Sequence, residues 1–271
     1  MARTDELKTP REMASRQGQT VFRELPLVCL CSGGDARSAQ ELADKLGTEL
    51  VHEEDVAGSD AIMLRVSGDG LSLAADGMEL LEDYRELLPR LRQDRLSKEL
   101  LVKAAKIKHV EHPAAVDATA GLGEDSLMLA AAGFSVELYE SNPVIAVLLA
   151  DAVRRGLLDP DLAPIVSRMH VHEQDSIEAL HELTEAPDLV YLDPMFPGRT
   201  KSAAVKKKFQ LLHHLEAPCD NPEDLLQAAI DAHPRKIVVK RPAKGPYLAG
   251  VKPSHSIAGK AVRFDCLILP R

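Results

Sequence analysis

Apolar positions along the chain fall into two rhythms. The run PLVCLCS (26–32) predicts a strand, and SAQELADKLG (38–47) then sets Leu42, Ala43 and Leu46 at helical spacing before Gly47 stops the helix. AIMLRV (61–66) and LSLAAD (71–76) flank Ser67-Gly68-Asp69-Gly70, a hairpin signal. Leucines at 80, 81, 87, 88, 91, 96, 100 and 101 predict two helices within 78–106, interrupted at Pro89. From residue 114 the rhythm changes. AAVDATA (114–120), SVELYE (135–140), MHVH (169–172), DLVYLD (188–193) and KIVVK (236–240) are short strand-like runs. Helical stretches separate them, at 124–132, 142–156, 176–183, within 202–215 and at 222–232. Strands alternating with helices predict βαβ units and a mostly parallel sheet covered on both faces. SIAGKAVRFDCLIL (256–269) breaks the alternation as a strand, turn and strand. The expected fold is therefore α/β, a Rossmann-like, mostly parallel sheet ending in a β-hairpin, behind a small N-terminal α+β domain. The expected boundaries are 1–80 for the small domain, 81–110 for a helical linker and 111–271 for the main domain.

Composition narrows the class. The 271 residues are 45% hydrophobic and hold no apolar run near the ~18 residues of a membrane span. The polar first 24 residues lack the apolar stretch of a secretory signal, so the cytoplasm is the expected compartment. Four cysteines are too few for a disulfide scaffold. The net charge of −9 is unevenly spread: residues 1–80 carry −7, 81–110 carry +3, 111–195 carry −13 and 196–271 carry +8. A basic C-terminal quarter can offer a local positive face to a polyanion despite an acidic body, because fields act over a Debye length of ~8 Å.

Candidate chemistry gathers at the expected strand ends. Asp117-Ala118-Thr119-Ala120-Gly121-Leu122-Gly123-Glu124-Asp125 runs from the first strand of the main domain into a helix. Gly121 and Gly123 let a ligand approach the backbone, and the helix start offers unpaired N–H groups. A nicotinamide fingerprint would place glycine at 126, where this chain has Ser126. Acids at both ends of the loop suit a cationic or zwitterionic ligand such as S-adenosyl-L-methionine. Glu140 ends the second strand, where an acid accepts ribose hydroxyls in such folds, and Asp175-Ser176 follow the third, suited to an adenine amino group. Asp117, Glu140, Asp175 and Asp193 are thus expected to converge at one sheet edge.

Asp193-Pro194-Met195-Phe196-Pro197 sets the reaction class. It matches the D-P-P-Y type of motif of methyltransferases acting on exocyclic amines of bases. An aromatic amine is a weak nucleophile, because its lone pair is delocalised into the ring. A carboxylate and a main-chain carbonyl accepting its N–H bonds localise that lone pair, and Phe196 offers a stacking surface. Arg199, Lys201, Lys206, Lys207 and Lys208 follow, with Lys240 and Arg241 at the end of the fifth strand; all seven are expected to meet RNA phosphates. Cys29 and Cys31 are read as a strand pair on opposite faces without zinc partners, His170, His172, His213 and His214 lack companion ligands, and no metal site is expected.

DATAGLGED, YESNPVIAVLLADAVRRG, VYLDPMFPGRTKSAAVKKK and VVKRP together closely resemble the RsmJ (YhiQ) family over roughly residues 110–265. The resemblance implies a class I methyltransferase that uses S-adenosylmethionine to methylate the exocyclic N2 amine of one guanine in 16S rRNA of the small ribosomal subunit. It further implies cofactor contacts at Glu124, Asp125, Glu140, Ser141, Asp175, Ser176 and Asp193, beside the Asp117, Thr119, Gly121 and Gly123 of the loop. A monomer acting without metal is expected. The alternatives are a nicotinamide oxidoreductase, disfavoured by Ser126, a methyltransferase for DNA adenine or protein glutamine, and a non-catalytic ribosome-assembly factor.

Overall fold

In the main sheet the apolar runs are buried on both faces, and their alternation divides them. Ala115, Leu189, Tyr191 and Val238 enter one core, while Val116, Val190, Leu192, Ile237 and Val239 enter the other. A computed structural model of the chain describes residues 25–195, 211–212, 215 and 221–270. Phe196, Arg199, Lys201, Lys206, Lys207 and Lys208 lie outside the described residues, as does most of the helix expected within 202–215.

The first unit begins with β1 (Leu27–Leu30), α1 (Ala36–Leu46) and β2 (Leu50–His52). Asp35 caps α1 by accepting from the Ser38 N–H, and Gly47 ends it at φ +65°. β3 (Met63–Ser67), β4 (Gly70–Ala75) and β5 (Met78–Leu81) follow as an antiparallel meander, giving the sheet order β2-β1-β3-β4-β5. The hairpin at Ser67–Gly70 forms as expected. β5 corrects the helical reading of 78–106. Asp76 and Gly77 both adopt positive φ, the geometry of a tight hairpin turn, and Met78 and Leu80 alternate inward in period two. Helix resumes in a 3-10 turn at Tyr84–Leu87 and then in the short α2 (Leu88–Leu91), α3 (Gln93–Leu96) and α4 (Leu100–Ala105). The Lys236 ammonium closes the last of these by donating to the Ala104 and Lys106 carbonyls.

The strands and helices expected between 114 and 193 all form, with the unpredicted α7 added: β6 (Ala114–Asp117), α5 (Glu124–Ala131), β7 (Ser135–Glu140), α6 (Pro143–Leu158), α7 (Ala163–Val166), β8 (Met169–Glu173), α8 (Ser176–Glu182) and β9 (Leu189–Leu192). Then come α9 (Pro222–Asp231), β10 (Lys236–Pro242), β11 (His255–Ala258) and β12 (Val262–Ile268). The strand order is β11-β12-β10-β9-β6-β7-β8, with β8 to β10 parallel and β12 antiparallel to both its neighbours. The chain moves outward from β6 to β8 and returns to β9 on the other side of β6. That reversal opens a crevice at the carboxyl ends of β6 and β9.

Helix α6 is shared by both units. Leu149, Ala152 and Val153 face the main-sheet core, while Val144, Ile145 and Leu148 pack with Val28, Leu64 and Leu73 of the first sheet. A polar clip adds to this contact. Asp151 accepts from the Leu71 backbone N–H at 3.0 Å and from Arg155 at 2.7 Å, and Arg155 also donates to the Glu82 carbonyl. A side chain on Gly70 would strike both residues of the clip. A second sequence expectation in the first unit is overturned: Cys29 and Cys31 project to the same face with sulfurs 3.8 Å apart, as residues two apart in an extended chain must.

Candidate active site

The loop from β6 to α5 is held from four sides. Ala118 donates to the Tyr191 carbonyl and Ala120 to the Tyr139 carbonyl, so the first turn continues the sheet pairing. Gly121 donates its N–H to Glu140 at 3.0 Å. Gly121 stands at φ +53° with open space where a side chain would be, whereas Gly123, at φ +80°, leaves no room for one beneath it. There a Cβ would meet the Tyr84 hydroxyl and Leu149. Tyr84 itself donates to the Leu122 carbonyl at 2.9 Å, so a residue of the segment between the units supports the loop from below.

Asp117 lies under this loop and is 1% exposed. It accepts from the Thr119 N–H at 3.0 Å and from the Ser126 hydroxyl at 2.5 Å. Burial pushes its carboxyl up to about 7, against those two hydrogen bonds and with help from the nearby Asp125 and Asp193 charges. Ser126, which sequence reasoning used only to discount a nicotinamide site, is the buried partner of this acid. In the unfolded chain Asp117 releases its proton near pH ~4, three units earlier than in the fold. The folded state therefore binds more protons between about pH 4 and 7, and stability falls as pH rises through that window. Urea unfolding at pH 5 and pH 8 should show wild type losing on the order of 2 kcal/mol relative to Asp117→Asn. An equal pH dependence in the two proteins would remove this assignment.

Glu140 spans the crevice edge. One oxygen takes the Gly121 N–H and the other the Asn142 N–H at 2.8 Å, while burial raises its carboxyl against these bonds. Asn142 caps α6 and donates to the Leu215 carbonyl at 2.6 Å, tying the chain beyond the Asp193 loop to the end of β7. Glu140→Ala should weaken S-adenosylhomocysteine binding by ~1–3 kcal/mol in calorimetric titration, and unchanged affinity would count against a ligand role for Glu140. Ser141 is exposed at the same edge. Asp175, exposed one strand further out, caps α8 by accepting from the Ile177 and Glu178 N–H groups, with Ser176 half-buried beside it.

On the other side of the crevice, alternation aims one set of side chains toward α5. Tyr191 of β9 and Asp193 just beyond its end, with Val238 and Lys240 of β10, share that parity. The Lys240 ammonium sits 2.6 Å from Asp125 and 2.9 Å from Asp193, and the Tyr191 hydroxyl donates to Asp125 at 2.6 Å. The Thr119 hydroxyl donates to Asp117 at 3.5 Å and accepts the Asp193 N–H at 2.6 Å, fixing the start of the loop in which Pro194 is buried. Burial would lower the Lys240 ammonium, yet Asp125 and Asp193 overcome this and hold it well above the usual lysine range. Burial raises the Asp193 carboxyl, and Lys240 opposes that rise. Two of the residues expected to contact RNA have partners inside the fold. Lys240 is engaged within the crevice, and Arg241, of opposite parity, is 1% exposed and donates to the Pro246 carbonyl. Arg241 is thus closed to solvent, while Lys240 is part-buried between two carboxylates. Their places follow from strand order and parity taken together.

These residues fit S-adenosyl-L-methionine. Gly121 opens onto free space, the start of α5 offers N–H groups, and the acids Asp125, Glu140 and Asp193 outnumber the cation Lys240, as a sulfonium and an ammonium require.

Comparison with known proteins agrees with this chemistry. Residues 55–268 match the family described as "Putative SAM-dependent methyltransferase". A solved structure of a SAM-dependent methyltransferase from Neisseria gonorrhoeae superposes with a TM-score of 0.69 at 30% identity, covering 89% of this chain and 95% of that one. Ribosomal RNA small subunit methyltransferase J of Thioalkalivibrio sulfidiphilus is 42% identical over 238 residues, covering 85% of this chain and 92% of the relative. The protein of the same name from Nitrosococcus oceani is 39% identical over 234 residues, covering 84% and 92%. With the relatives spanned over nearly their whole length and an acid-lined crevice suited to a sulfonium cofactor, the chain belongs to the ribosomal RNA small subunit methyltransferase J family, whose cofactor is S-adenosyl-L-methionine.

Proposed function

We propose that the protein methylates the exocyclic N2 amine of one guanine in 16S rRNA, within the small ribosomal subunit and in the cytoplasm. The name of the relatives supports the ribosomal substrate. The observation that carries the chemistry is Asp193-Pro194 at the crevice, its backbone fixed by Thr119 and its carboxylate oriented by Lys240.

When bound, S-adenosyl-L-methionine supplies an electrophilic methyl group. In this reading Thr119, Gly121, Gly123, Glu124, Asp125, Glu140, Ser141, Asp175 and Ser176 hold it along the carboxyl ends of β6 to β8. The Asp193 carboxylate and the Pro194 carbonyl accept the N–H bonds of the guanine amine, and Phe196 stacks on the base. The nitrogen lone pair is thereby directed at the methyl carbon. Bound there, the cofactor would give its methyl group to that nitrogen and keep the electrons of the C–S bond, and the surplus proton of the amine would leave to water. Positioning supplies most of the rate, so no separate general base is required. Arg199, Lys201, Lys206, Lys207 and Lys208 supply phosphate contacts in the same reading.

The test is methyl transfer from labelled S-adenosylmethionine to small ribosomal subunits from cells lacking the gene. Digestion to nucleosides and mass spectrometry should find the label in N2-methylguanosine. Label in another nucleoside overturns the N2 assignment; no label, from protein that still binds S-adenosylhomocysteine, overturns the rRNA substrate.

A further inference from the structure

Between Ala232 and Phe264 the chain holds no Asp or Glu, yet carries eight Lys and Arg, within a protein of net charge −9. Four of the eight are accounted for inside the fold. Lys236 closes α4, Lys240 occupies the crevice, Arg241 is buried, and Arg263 is buried against Asp265. Lys244 and Lys260 are exposed. The register of β10 with β12 places both at the carboxyl end of β10, the sheet edge that bears Asp193. The Ala243 N–H donates to the Ala261 carbonyl, so their two turns are joined.

The turn that carries Lys244 is built rather than loose. Arg263 donates to the carbonyls of Pro242, Ala243 and Gly245 at 2.9–3.1 Å, and Arg241 donates to that of Pro246. Leu248, just beyond, is buried with Leu225 and Leu226 of α9. Held between these anchors is Tyr247. The Arg263 guanidinium lies 5.0 Å from its ring centroid, and the residue is 40% exposed. The ring is therefore held by a cation and keeps part of its surface open to water, so it is oriented before anything stacks on it.

We propose that Tyr247, flanked by Lys244 and Lys260, is a docking platform for the RNA strand next to the target base, Tyr247 stacking a neighbouring nucleobase and the two lysines meeting its phosphates. An aromatic platform beside fixed cations is what a single strand requires, since every base has a π-face and every linkage a charge. The stretch from Ala232 to Phe264 adds cations to this edge and no acid of its own, which suits a polyanion such as RNA. This inference rests on the ribosomal RNA reading above and adds to it a surface that approaches the crevice from the β10 side.

The experiment measures methyl transfer to small ribosomal subunits, with S-adenosylhomocysteine affinity as a separate readout, for Tyr247→Ala, Tyr247→Phe and the double variant Lys244→Gln/Lys260→Gln. Tyr247→Ala should raise the KM for subunits about 5- to 100-fold, with kcat and S-adenosylhomocysteine affinity unchanged. Tyr247→Phe should keep the wild-type KM, since the ring is retained. The double lysine variant should lower the slope of log affinity against log salt by about two. An unchanged KM in Tyr247→Ala overturns the platform, as does a KM in Tyr247→Phe that rises as far. An unchanged salt slope removes the lysines from it. A wild-type protein that binds S-adenosylhomocysteine but labels no subunit overturns the ribosomal reading itself, which separates the two failures.

Discussion

Asp193→Ala is expected to lower kcat at saturating S-adenosylmethionine by at least ~100-fold, the scale of losing one preorganised hydrogen-bonding group from a transition state. The change is clean for structural reasons. The backbone N–H of residue 193 stays on the Thr119 hydroxyl whatever the side chain is, and the half-buried carboxylate leaves no sealed cavity behind. Lys240 keeps Asp125 as a counter-ion. Thermal unfolding should therefore move little while transfer is lost. A variant with wild-type turnover would show that the amine is oriented elsewhere, and Asp193 would then be only the partner of Lys240.

Lys240→Met should be almost as damaging, by a different route and with a diagnostic pH dependence. The ammonium is the cation set between Asp125 and Asp193. Without it burial and the charge of Asp125 both push the Asp193 carboxyl upward, with nothing from Lys240 to oppose them. A larger fraction of Asp193 is then protonated at neutral pH, and a protonated carboxyl has less capacity to accept an amine N–H. We expect kcat at pH 7 to fall by about 10- to 100-fold, the range of a disrupted charged hydrogen bond, and to recover in part as pH rises toward 9. Lys240→Arg keeps the charge and should keep a pH profile close to wild type. A flat loss at every pH in Lys240→Met would mean that the lysine shapes the crevice without tuning Asp193.

What could be read in advance was whatever depends on local pattern. β7 was placed residue for residue, β9 and α9 to within one residue at each end, and the closing hairpin and the acids at the strand ends were visible, because period-two runs and turn residues are local signals. β5 was lost to a leucine-rich stretch that also fits a helix, although Asp76-Gly77 carried the hairpin signal. The different places of Lys240 and Arg241 are not legible in the sequence for another reason. Adjacent in sequence and alike in charge, they pass to opposite faces of β10, one to the crevice and one to the core. Only the pairing of β10 with β9 decides which is which, and pairing is a long-range property. Tyr84 and Ser126 have the same character, since each acts through a partner far from it in the chain or beneath a loop.

The shared helix α6 bears on where this protein can be divided. Its residues Val144, Ile145 and Leu148 belong to the first sheet's core, although the helix itself is a crossover of the second. A chain begun at β6 would present those side chains to water, leave Asp151 and Arg155 without the Leu71 and Glu82 groups they hold, and withdraw Tyr84 from under the glycine loop. The boundaries drawn near residues 81 and 110 mark a change of topology. They do not mark a seam: the methyl-transferring half has no finished outer wall of its own, and the small N-terminal sheet supplies it.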